Sequence, residues 1–350
     1  MRLDTFRYRT RRKDSREIPF FSHPMSKFTR TLGTLLGLLL FSVALWMIYR
    51  EINKMGLNQI LSDLHSMPRS SIVVAAILTP LSYGLLTGYE LLGFRYIERQ
   101  LSSLKIIFAA FIGYSFSNNI SMTPSVAVRY RMYSNWGISK IELTQLVAFH
   151  MLGTWLGFMM VGGLVLLIEP APIAGAVIVG LKFKRLLGAA MLILVAAYFV
   201  AGSIRKKPFK IRGLVLKLPS HRLISAQILL GTVDWALTGV VLYTLLPSTP
   251  SLTYFSFLSI FIVAQMIQIM SHVPGGLGVF ESSMLLFLKP MLPASHILSA
   301  LLVYRVVYLI APLIVGTLCL GVFEAHLRIT GGHKLPPSDV EPGAVTRDAA

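Results

Sequence analysis

Ser271-His272-Val273-Pro274-Gly275-Gly276-Leu277-Gly278-Val279-Phe280-Glu281 interrupts an otherwise apolar stretch of chain. An apolar run, Thr253 to Met270, precedes it, and a shorter apolar helix, Val279 to Leu292, follows. Proline and clustered glycines end a helix, and glycine alone reaches positive φ without steric cost. Backbone broken in this way is tolerated at membrane depth only where it lines a protein cavity. The reading therefore turns on whether the surrounding runs are membrane spans.

Composition says that they are. The 350-residue chain is 54% hydrophobic and only 14% charged, with a mean hydropathy of +0.67. Soluble domains carry about 25% charged residues. Apolar runs recur along the whole chain at roughly the 20-residue length of a bilayer crossing. They fall at Thr31–Tyr49, Ser71–Phe94, Ile106–Ile120, Ile141–Ile168, Leu186–Ile204, Leu223–Leu246, Thr253–Met270 and Ile297–Phe323. The fold expected is an all-α, polytopic transmembrane bundle with two broken or re-entrant elements. Its domains are a basic cytoplasmic arm (1–27), a transmembrane domain (28–325) and a disordered cytoplasmic tail (326–350).

The net charge of +18 is concentrated between apolar runs. Nine Lys/Arg lie between Arg2 and Arg30, and seven, with no acid, between Arg205 and Arg222. This is the pattern of anchoring to an anionic cytoplasmic leaflet rather than to nucleic acid. The arm is too long and too charged for a signal peptide. Cys319 lies alone in an apolar run, so no disulfide framework or metal cluster is expected, and no cofactor.

Placing both basic segments in the cytoplasm requires an even number of crossings between them. The apolar count is five, so a further crossing or partial crossing is needed. Pro124–Gly137 is the candidate, as a broken or short membrane-embedded helix; the alternative is an ordinary loop, with one of the five spans false or re-entrant. The two breaks also resemble one another. Aligning Pro124 with Pro274 matches Ser121 with Ser271, Asn118 with Gln268 and Arg131 with Glu281. The chain enters one break from inside and the other from outside, as in an inverted repeat that sets a substrate site near the midplane.

Ionisable residues within spans are costly and point to function. Arg129 and Arg131 flank the first break, with positive-inside anchoring as the alternative reading. Pro274, Gly275, Gly276 and Gly278 open a helix whose free N–H groups suit an anion, or form a tight turn for helix packing. Glu281 lies in the first turns of that helix and is expected to pair with Arg131 or Arg305. Arg305 sits in the last span with Tyr304 and Tyr308, and serves either a substrate or Glu281 alone. Asp234 suits a proton or a base, and His150 an interhelical hydrogen bond. No nucleotide, metalloprotease or nucleophile-elbow motif appears.

Three phrases carry a family resemblance. Arg129-Tyr130-Arg131-Met132-Tyr133, Val273 through Glu281, and Leu302-Val303-Tyr304-Arg305-Val306-Val307-Tyr308 resemble YbhN-type membrane proteins. These are similar to the transmembrane flippase half of bacterial lysyl-phosphatidylglycerol synthases. The resemblance covers residues 28 to 325. It implies a bacterial inner-membrane protein that moves phospholipids between leaflets, aminoacylated ones in the best-known relatives. Arg131 and Glu281 are the residues it favours. The basic segments, separately, place both termini in the cytoplasm, and the lack of a catalytic motif leads us to expect no enzyme. Ser125 and Ala127 stand where the family often has glycines, and no aminoacyl-transferase region is expected. The alternative function is a membrane scaffold for an envelope lipid enzyme.

Overall fold

The structure is a computed structural model that describes residues 62–63, 65–119, 122–168, 181–204, 209–211, 214–216, 219–271 and 273–329. The basic arm, the run Thr31–Tyr49, the loop 169–180, part of the Arg205–Arg222 segment and the tail beyond 329 lie outside them. The elements are α1 (Arg69–Tyr96), α2 (Ser103–Asn119), α3 (Met122–Asn135), α4 (Lys140–Ile168) and α5 (Leu181–Ile204). A small antiparallel hairpin follows, β1 (Phe209–Ile211) with β2 (Leu214–Leu216). Then come α6 (His221–Tyr243), α7 (Tyr254–Ser271), a 3-10 turn (Pro274–Gly276) and α8 (Val279–Leu288). The last helix is continuous, α9 (Ala294–Tyr304), a π-helical segment (Arg305–Ile310) and α10 (Ala311–Ile329).

Among the described residues, six helices are long and apolar enough to cross a membrane. Their apolar surface is not confined to one face: Ile77 and Leu81 of α1 and Leu186, Ile193 and Leu194 of α5 are exposed. Helices in lipid satisfy every backbone group internally, which is why the chain folds as helices and not sheets here. Local signals set the ends. Ser139 and Glu142 form a capping box at the start of α4, with Ser139 N–H donating to Glu142 Oε2 at 2.8 Å. Ser220 caps α6. The last helix runs on to Ile329, and apolar residues such as Leu327 and Ile329 continue its pattern past Glu324.

Side-chain contacts fix the direction of each helix. Ser82 meets Asp234 and Gly88 meets Leu230, so α1 and α6 are antiparallel. Gln227 donates to the Phe149 carbonyl and Trp235 to that of Thr154, so α4 and α6 are parallel. Their close approach is made by small residues: a Cβ on Gly157 would strike the backbone of Gly231. Arg99, just past α1, pairs with Glu142 at the start of α4. Thus α1 ends, and α4 and α6 begin, at one end of the bundle, here called the loop end because the Arg205–Arg222 loop joins it.

Between α1 and α4, α2 and α3 form a helical hairpin. The Lys105 ammonium lies 5.6 Å from the Trp136 ring centre, and Gly113 lies against Arg129, so the limbs are antiparallel with both feet at the loop end. Pro124–Gly137 is thus a short helix ending in a turn, and the described part of the run Ile106–Ile120 is the other limb of the hairpin rather than a helix long enough to count as a span. Pro124 falls in the first turn of α3, where no i−4 hydrogen bond is lost.

A second hairpin, α7 and α8, enters from the far end. Gly276 lies against Gln268, and the Phe261 and Phe280 rings are 5.8 Å apart, so its limbs are also antiparallel. At ten residues, α8 is about 15 Å long and too short to cross a core of about 30 Å. The last helix then runs from the far end, where His296 meets Asp63, to the loop end, where Phe323 packs on Phe108. The order span, hairpin, span therefore occurs twice, in opposite directions.

Candidate functional site

The tips of the two hairpins meet. Gly275 sits at φ 63° with its α-carbon so close to hairpin α2–α3 that a Cβ would lie 2.5 Å from the Asn119 carbonyl oxygen. Gly276 and Gly278 also have positive φ, 61° and 78°. The three glycines turn the chain through Pro274–Gly276 and start α8 within a few residues. No residue with a Cβ makes that turn without strain.

Asn119 joins this junction to the last helix. Its Nδ2 donates to the Leu309 carbonyl at 2.9 Å and to the Ser115 carbonyl at 2.8 Å. Leu309 belongs to the π-helical segment, and the i→i+5 pattern of such segments disturbs the ordinary carbonyl pairing of a helix. On the other side of the segment, Tyr83 Oη donates to the Tyr308 carbonyl at 3.2 Å, and Asn118 Nδ2 donates to Tyr83 Oη.

Arg305 opens the π segment and forms an ion pair with Glu281, one turn into α8. Glu281 Oε2 also accepts the Gly278 N–H at 2.8 Å. Its carboxylate thus occupies a helix-start donor that was expected to be open to an anion. The Arg305 side chain is 20% exposed and that of Glu281 11%, so the pair is partly accessible. Tyr304 is buried, and its ring stacks on Tyr308 at 5.1 Å.

The three arginines do not converge. Arg129 is 3% exposed, 2.7 Å from Glu90 of α1, with its guanidinium 4.2 Å from the Tyr114 ring centre. The Glu90 oxygens lie near Arg129 but accept no well-directed hydrogen bond, and Arg129 Nε is likewise unsatisfied. Arg131 makes a two-point contact with Glu324 of α10, at 3.0 and 3.1 Å, near the loop end. Expecting Glu281 to meet Arg131 or Arg305 identifies Arg305; Arg131 belongs to a different pair. Proximity in sequence to the first break placed Arg129 and Arg131 in one group, whereas their helix positions direct them to different neighbours.

Glu90 was missed, although a simple signal marks it: it is the one acid within the apolar run Ser71–Phe94. Glu324 sat just past the expected end of the last span and carried no such signal. His150 is an interhelical hydrogen bonder, its Nδ1 3.1 Å from Tyr114 Oη. Asp234 meets the Ser82 hydroxyl at 3.3 Å and, among the described residues, no base. Among the described residues no group of three or more potential ligands for a metal is present.

Six helices long and apolar enough to cross a membrane, with two helical hairpins whose tips meet beside an arginine–glutamate pair, define a multi-pass helical membrane protein. The chain belongs to the family described as lysylphosphatidylglycerol synthase TM region, whose profile matches residues 34–316. It is 33% identical over 301 residues to the uncharacterized protein slr0712 of Synechocystis, covering 85% of this chain and 93% of that one. It is 26% identical to the inner membrane protein YbhN of Escherichia coli, covering 88% and 96% respectively. Phosphatidylglycerol lysyltransferase of Staphylococcus aureus matches at 23% identity over 81% of this chain, which spans only 33% of that enzyme.

Proposed function

We propose that this protein moves a phospholipid between the leaflets of a bacterial inner membrane, without chemistry on the lipid, using the Glu281–Arg305 pair as its headgroup site. One observation carries the reading: a partly exposed ion pair lies beside the junction of two hairpins that enter from opposite ends. A phospholipid headgroup always brings a phosphate, and arginine grips phosphate through parallel N–H donors. A lone charge at the bilayer centre costs about 2.5–3.5 kcal/mol on insertion scales. An ion pair that opens to admit a zwitterion exchanges one set of contacts for another and leaves no charge unmatched. Arg305 takes the phosphate, and Glu281 faces the amine of the headgroup, while the acyl chains stay in the surrounding lipid.

Arg129 and Arg131 then hold the first hairpin in place, to α1 through Glu90 and to α10 through Glu324. The junction at Gly275 and Asn119 acts as the barrier between the two leaflets. The termini and the basic loop face the cytoplasm and its anionic lipids.

Purified protein in liposomes should speed transbilayer movement of a labelled phosphatidylethanolamine, whose headgroup brings both the phosphate and the amine. Glu281→Gln should lower that acceleration at least tenfold while the protein still inserts and unfolds cooperatively. Equal rates for both proteins and for protein-free vesicles would remove this reading in favour of a scaffold role. A scaffold would tolerate Glu281→Gln and fail when the Arg205–Arg222 loop is neutralised.

A further inference from the structure

Seven acidic residues fall within the described part of the chain: Asp63, Glu90, Glu98, Glu142, Asp234, Glu281 and Glu324. Five of them lie within ion-pairing distance of a base: Asp63 with His296, Glu90 with Arg129, Glu142 with Arg99, Glu281 with Arg305 and Glu324 with Arg131. Glu98 is exposed in a turn at a chain bend. Asp234 differs from all of these: it is buried in the middle of α6, 6% exposed, and its recorded partner is a neutral hydroxyl.

The surroundings of Asp234 form a connected chain of hydroxyls. Ser82 Oγ is 3.3 Å from Asp234 Oδ1 and 3.0 Å from Tyr308 Oη, and Thr238 Oγ1 is 2.9 Å from Tyr308 Oη. The ionisable groups that the Asp234 charge reaches are tyrosines: Tyr83 and Tyr89 of α1, Tyr114 of α2, and Tyr304 and Tyr308 of the last helix. From α4, His150 is engaged by Tyr114; from α7, Tyr254 donates to the Ala236 carbonyl. Arg305, one turn from Tyr308, is engaged by Glu281. No cation among the described residues balances Asp234 within 4 Å.

We propose that Asp234 is a proton-binding site, and that its proton is the coupling ion for movement of lipid past the Glu281–Arg305 pair. The proposal deepens the function above and rests on it for its coupling half. An uncompensated carboxylate deep in an apolar bundle is costly, whereas its protonated form is a neutral hydrogen-bond donor. With Asp234 ionised, Ser82 donates to it and Tyr308 is left to donate to Ser82 or Thr238. One proton added at Asp234 turns the chain around: Asp234 donates to Ser82, Ser82 to Tyr308, and Tyr308 to Thr238. The reversal ends on the π-helical segment that begins at Arg305 and is tied to the hairpin tip through Leu309. π segments are local irregularities with a nearby α-helical alternative, so the segment is the element through which a proton on Asp234 reaches Arg305.

Two readouts test this on the full chain in vesicles. Infrared spectroscopy between about pH 4 and about pH 9 should show a buried protonated carboxyl band that titrates and is missing in Asp234→Asn. An imposed pH gradient should also drive a labelled phospholipid to an unequal leaflet distribution. One proton per lipid sets the limit at about tenfold for each pH unit, and Asp234→Asn should reduce the ratio to about one. Asp234→Glu, which retains the carboxyl, should keep the band with a displaced midpoint and restore part of the gradient response. An unchanged band in Asp234→Asn, or a gradient response equal to that of the unaltered protein, overturns the proposal. If no lipid moves under any condition the translocation reading falls, and the infrared titration still decides whether Asp234 binds the proton.

Discussion

Gly275→Ala tests the junction of the hairpins without touching any charge. Alanine at φ 63° costs about 1–2 kcal/mol relative to glycine. Its Cβ would lie 2.5 Å from the Asn119 carbonyl oxygen, where ordinary contact begins at 3.4 Å. The obstacle is backbone and cannot rotate away, so the tips must separate by about 0.9 Å, the difference between those two distances. Asn119 is tethered to Leu309 at 2.9 Å, and a shift of that size breaks the bond, at about 0.5–1.5 kcal/mol. Together these amount to about 1.5–3.5 kcal/mol against the closed junction, or roughly 10–300-fold in its population. The assay is lipid movement in vesicles, read as the rate and as leak of a lipid-sized probe without headgroup preference. Gly84→Ala, where nothing lies within 4 Å of the new Cβ, is the control and should behave as the unaltered protein. If Gly275→Ala moves lipid at the unaltered rate with the same headgroup preference and melting temperature, the tip junction is not the barrier.

Glu90→Ala should leave Arg129 charged in a site closed to solvent, costing about 3–5 kcal/mol, and should appear as lost expression or a sharply lower melting temperature. Arg131→Gln breaks a part-exposed pair worth at most about 1 kcal/mol, so melting should shift by only a few degrees and lipid movement should persist. A rate loss equal to that of Glu281→Gln would restore Arg131 to the headgroup site. Reporter fusions at Pro208 and after Thr330 should both report the cytoplasm, and an external signal at either point contradicts the crossing pattern.

Period, composition and charge carried the membrane reading because lipid leaves so few options: each span must be apolar, about 20 residues long and helical, and each such run is visible one residue at a time. The break at Val273–Glu281 was legible for the same reason, since a proline and three glycines within five residues do not continue a helix. Parity required a partial crossing near Pro124, and pairing Glu281 with one of two arginines was a matter of charge cost. Which arginine was not legible. Arg131 and Arg305 are both basic residues beside apolar helices, and only the crossing of helices sends one to Glu324 and the other to Glu281. Glu90, near in sequence to nothing in the first hairpin, meets Arg129 because α1 packs against that hairpin. The Asp234 network likewise joins residues about 150 positions apart, Ser82 with Asp234 and Thr238. Hydropathy reports the solvent that each segment prefers, a local property. Partners are chosen by interhelical contact, to which distance along the chain contributes almost nothing once every span is confined to the same thin layer.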